Sequence, residues 1–73
     1  MTIKINENDM ALEIGGAVIA TARQRADGWW EVSHWPRFFD RIQAIIALTV
    51  TELLALGCGT DDPLVKALRE DLR

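Results

Sequence analysis

This chain has one cysteine and one histidine among its 73 residues. The single Cys58 excludes an internal disulfide. One Cys with one His cannot build a structural zinc site, which takes four such ligands. A chain of this size buries only about 60% of the surface its unfolded form exposes. Without a disulfide or a metal, oligomerisation is the remaining common source of stability. Glycine and proline are few, 5 and 2 residues, and 49% hydrophobic with 26% charged residues is a globular composition, not a disordered tail. Long hydrophobic runs are also missing. The longest, Ile42 to Cys58, is interrupted by Gln43 and Glu52, whereas a membrane span needs about 20 predominantly apolar residues. The opening "MTIKINENDM" lacks the basic and apolar segments of a secretory leader. With a lone thiol this leads to the expectation of a soluble, cytoplasmic protein.

Positive charge is scarce too. The net charge is -3, with Arg23, Arg25, Arg37 and Arg41 in the middle and acidic residues toward both ends. Binding to nucleic acid rests on many phosphate contacts, and this balance disfavours it. Gly15-Gly16 is not followed by a helix, as a phosphate-binding loop requires. No metal-ligand spacing occurs, so neither metal nor cofactor is expected.

What is present reads as an α+β domain spanning residues 1–73: a three-stranded, possibly four-stranded, antiparallel meander over 2–35, a long central helix over 41–56 and a short C-terminal helix over 63–72. "TIKI" is a candidate first strand, and "MALEI" alternates apolar and other residues. Gly15-Gly16 supplies positive φ for a tight hairpin, "AVIATARQR" returns, Asp27-Gly28 marks a second hairpin, and "WWEVSHW" has strand composition. Two-residue loops at both turns put Leu12, Ile14, Ile19, Trp30 and Val32 on the core face. The same register leaves Arg23 and Arg25 on that side, with Ala20, Ala22 and Trp29 opposite; a one-residue bulge near Gly15-Gly16 would put Val18 inward instead. Pro36 ends the third strand, and Phe38 and Phe39 in the link plug the end of the core.

Asp40 with Gln43 forms a capping box for the central helix, and Gly57 suits its left-handed cap. Asp62 and Pro63 open the last helix, whose apolar face is Leu64, Val65, Leu68 and Leu72, with Lys66, Arg69, Glu70, Asp71 and Arg73 around the rest. At about 100° per residue, Ile42, Ile45, Ile46, Val50, Leu53 and Leu56 share a broad face of the central helix, expected to pack on the sheet. The opposite stripe, Ala44, Ala47, Thr51 and Ala55 flanked by Leu48 and Leu54, is uncharged. Either the last helix covers it, or a second copy does in an isologous dimer. These six residues form the candidate dimer interface.

Chemistry is sparse. His34 and Cys58 are explained by a sheet edge and a helix-end turn, and Asp61 with Asp62 by capping, so no catalytic residue is assigned and a non-enzymatic protein is expected. Three tryptophans fall at positions 29, 30 and 35. Trp30 has a place in the core. Trp29 and Trp35 are expected to face outward together. With Arg37 and Arg41 they form a candidate partner-binding patch, since Trp and Arg are enriched at binding hot spots.

The stretch "DGWWEVSHWPRFFDRIQAI", a strand followed by a capped helix, resembles the AP2-type or integrase N-terminal DNA-binding module over residues 15–48. That resemblance implies a sheet entering the major groove, although the lysine-rich strands of such modules are missing here. "WPRFF", "QAIIALTVTELLALG" and "DDPLVKALREDL" resemble small proteins of actinobacteria and their phages. That resemblance implies a phage-encoded accessory protein that modulates a host protein. The expectation is therefore a small homodimeric interaction or regulatory protein with a protein partner and no membrane association. The alternative is a DNA-binding accessory protein that uses the arginine-bearing hairpin.

Overall fold

A computed structural model describes residues 2–72, Thr2 by its backbone alone; Met1 and Arg73 lie outside the described residues. The chain is α+β, with five antiparallel strands followed by two helices: β1 (Thr2–Ile5), β2 (Asp9–Ile14), β3 (Ala17–Gln24), β4 (Trp30–Val32), β5 (Phe38–Phe39), α1 (Arg41–Ala55) and α2 (Pro63–Glu70). Strand order in the sheet is chain order. The meander thus has five strands rather than three or four and extends past residue 35. Phe38 and Phe39 form its last strand, paired with Glu31 and Trp30, instead of a link. Among the described residues no helix is long and apolar enough to cross a membrane.

The first hairpin is as its glycines require. Gly15 and Gly16 have φ of 60° and 82°, and Ile14 pairs with Ala17 across them. Two features then change the register. β3 has one extra residue: Glu13 pairs with Val18 but Leu12 pairs with Ala20, leaving Ile19 unpaired in a bulge. A one-residue slip reverses which side chains face the core. Ala20 and Ala22 are therefore buried and Ile19 is exposed. In the second hairpin, Gly28 N–H donates to Arg25 O and Arg25 N–H donates to Trp29 O, closing a three-residue loop, Ala26-Asp27-Gly28, with Gly28 at φ 90°. Asp27-Gly28 thus makes a longer turn ending in left-handed glycine, not a two-residue one. Arg23 now pairs with Glu31 and Gln24 with Trp30, which moves Arg23 off the core side.

Both helices start as their caps dictate. Asp40 Oδ1 accepts from Gln43 N–H at 2.7 Å and Gln43 Oε1 accepts from Asp40 N–H at 3.2 Å. Asp62 Oδ1 accepts from Leu64 N–H at 2.9 Å. α1 stops at Gly57, φ 96°. There Gly57 N–H donates to Leu54 O and Cys58 N–H to Leu53 O, the paired bonds of a glycine-terminated helix.

The face of α1 that packs on the sheet is the reverse of that expected. Ala44, Ala47 and Leu48 are 0% exposed and share one cluster with Met10, Leu12, Ala20, Ala22, Trp30, Val32, Phe39 and Leu72. The sheet presents Trp30, Phe39 and Met10, large side chains that occupy the space left by the helix alanines, so large meets small across the two layers. Ile42 is 72% exposed and Leu56 52%, and Ile45, Ile46 and Leu53 are half-buried. Of the expected sheet-facing set only Val50 is fully buried. α2 packs against α1. It buries Val65, and Leu72 just beyond it joins the core, whereas Leu64 is exposed.

Candidate interaction surface

α1 touches β3, β4 and β5, and α2 touches α1, so both helices lie on one side of the sheet. Among the described residues no helix lies over the other side. Across β2 to β5 that outer face carries the register row Asp9, Arg23, Glu31, Phe38, alternating in charge and ending in an aromatic ring. Arg25 extends over this end of the row. Its guanidinium lies 3.9 Å from the centroid of Phe38, with Nε 3.3 Å from Asp27 Oδ2 and an Nη 3.7 Å from Glu31 Oε1. Phe38 is 47% exposed beneath it. At the other end of the sheet, Lys4 Nζ is 2.8 Å from Glu13 Oε2, and that carboxylate raises the lysine pKa above its ordinary 10.5 by hydrogen bonding and charge.

The four residues expected to form one outward patch fall into two separate pairs. Trp29 is 51% exposed beside Gly28 and lines an open hollow of about 520 Å³ together with Arg41, Asp40 and Glu7. Arg41 also approaches the ring of Trp30, 6.0 Å from its centroid. Trp35 faces the opposite way from the expectation. It is half-buried, meets Phe39 edge-on at 5.6 Å and 78°, and its Nε1–H donates to Thr51 Oγ1 at 3.3 Å. The cause is the turn after β4. Trp35 N–H donates to Val32 O, and His34 has φ 70°, a left-handed conformation uncommon outside glycine. The turn ends the strand alternation before Trp35 and directs its ring over the core. Arg37 lies next to it, 5.1 Å from the Phe39 centroid. No glycine marks this turn; the only hint in the sequence is Pro36 just after it.

The stripe expected to form a dimer interface is also redistributed. Ala44, Ala47 and Leu48 are inside the monomer, covered by the chain's own sheet, so a second copy cannot reach them. Thr51 accepts from Trp35 and donates its hydroxyl to Ala47 O. Leu54 and Ala55 remain exposed at the end of the helix. The helix face away from the buried alanines is a ridge, Ile42, Ile45, Ile46, Thr49 and Leu53, with Leu56 beyond it, at i, i+3, i+4, i+7 spacing. Ile45 and Ile46 pack partly on the core, and Ile42 and Leu56, expected on the sheet, are exposed.

Among the described residues no three His, Cys, Asp or Glu side chains gather as a metal-holding group. His34 lies in the turn after β4, and Cys58 follows the α1 cap. Comparison with family models, with curated proteins and with solved structures gave no match.

Proposed function

We propose that this chain is a non-enzymatic interaction protein that works as a homodimer and binds a protein partner with the uncovered face of its sheet. The observation that carries this reading is the one-sided layering. Both helices sit on one face, while the other holds exposed Phe38 under Arg25, with Trp29 half exposed at the adjacent hairpin tip. An aromatic ring with an arginine over it is the composition of a binding hot spot. The charges around it are balanced rather than basic, which suits a protein surface better than a phosphate backbone.

The test uses the tagged full chain as bait in a lysate of its native host, beside a Trp29→Ala plus Phe38→Ala variant. Both side chains are about half exposed, so the variant is expected to keep its fold. Retention of a protein by the wild type and its loss from the folded variant supports the reading. Equal retention by both overturns the sheet face as the binding surface.

The corrected register favours one second reading. Arg23 belongs to the outer face, where a sheet-borne DNA reader would need it, and Arg25 lies over the same face. Duplex binding that weakens steeply with salt and is lost in Arg23→Ala plus Arg25→Ala would favour it. The alternation Asp9, Arg23, Glu31 opposes it, because each arginine there is flanked by a carboxylate.

A further inference from the structure

We infer that the outward ridge of α1 is the homodimer contact, with two copies of the helix packed antiparallel about a two-fold axis crossing near residues 46–47. This deepens the dimer part of the reading above and rests on it. The ridge, Ile42, Ile45, Ile46, Thr49, Leu53 and Leu56, has the spacing of a helix face built to be covered. Its flanks Ile45 and Ile46 pack partly on the chain's own core, Thr49 and Leu53 are half-buried, and Ile42 and Leu56 are exposed. A 15-residue helix is about 22 Å long. That makes the contact a small one, consistent with a dimer that dissociates in the micromolar range.

Charge identifies the occupant and its orientation. Arg41 and Glu52 are the only charged side chains of α1. Eleven residues apart, they sit about 16 Å from each other along the axis and only about 20° apart around it, at one flank of the ridge. Neither forms an ion pair among the described residues. A two-fold axis perpendicular to the helices brings Arg41 of each copy level with Glu52 of the other, twice in one interface, and sets Ile42 between Thr49 and Leu53 of the partner helix. A parallel pair would set like charges level on opposite flanks and leave each Arg41 about 16 Å along the axis from either Glu52. The surface is therefore self-complementary in one orientation, as an isologous contact demands.

Sedimentation of the full chain over a micromolar concentration series tests this. Arg41→Glu and Glu52→Arg should each weaken the dimer about tenfold, and the double exchange should return it to within about threefold of wild type. Ile42→Glu should leave a monomer. All three substitutions place acid at the helix start or base near its end, which favours the isolated helix, so lost association is not lost folding. A double exchange as weak as the single variants, or an Ile42→Glu protein that associates like wild type, overturns the geometry while leaving a dimer in place. A wild type that is monomeric throughout the series overturns the dimer reading itself.

Discussion

Substituting Ala47 by leucine decides which way α1 faces. Ala47 is fully buried within the cluster that contains Trp30, Phe39 and Leu48. A leucine has to fit where the facing side chains already fill the layer. Overpacking of this kind costs about 1–3 kcal/mol. A domain this small is stabilised by only about 5 kcal/mol at the low end of the usual range. Each kcal/mol corresponds to about 4–8 °C in Tm, so Ala47→Leu should melt about 5–20 °C below wild type. Circular dichroism melts of wild type, Ala47→Leu and Ala55→Leu provide the assay. Ala55 is exposed, and its substitution should stay within about 0.5 kcal/mol of wild type. If the small-residue stripe faced solvent, the two variants would behave alike. Ala47→Leu as stable as wild type would refute the placement of the helix, and with it the outward ridge.

Two other outcomes follow from local contacts. Asp40→Ala removes the carboxylate that accepts from Gln43 N–H, leaves the backbone N–H of residue 40 free to donate to Gln43 Oε1, and should cost about 1 kcal/mol in denaturant unfolding, with m unchanged. Lys4 should titrate above its ordinary value in an alkaline NMR series, and Glu13→Gln should bring it back. The sign is that of a raised pKa: the ion pair contributes below pH 10.5 and is lost as the pH rises through the folded value.

The punctuation of the fold was legible in residues whose effect is local. Asp40 with Gln43, Asp62 with Pro63, and the glycines at 15, 16 and 57 each set a backbone conformation through their own side chain or lack of one. The order of elements followed from them. What was not legible depends on comparing alternatives that differ by one residue. The bulge at Ile19 and the third loop residue before Trp29 each shift register by one, which reverses a face without changing composition. His34 adopts positive φ with no glycine to announce it. The choice of helix face failed for a different reason. α1 is apolar on both sides, and the larger side chains were given to the core. The sheet had already placed its own large residues there, Trp30 and Phe39, leaving room for alanines. The candidate site follows from these features: the His34 turn brings Trp35 over the core, and the packing of alanines against Trp30 and Phe39 puts half of the proposed stripe inside.

Because the strands lie side by side in chain order, every pairing in the sheet joins neighbours along the chain. Such a topology needs little loop closure before each contact forms. Each hairpin can zip onto the one before it, and no strand has to wait for a distant partner. The distant contacts are those of α1, which lays Ala44, Ala47 and Leu48 on the sheet, and of Leu72, which closes the core formed by residues from Met10 onward. Folding should therefore be fast, and the step that seals the hydrophobic interior should come last, when the final turn of the chain docks.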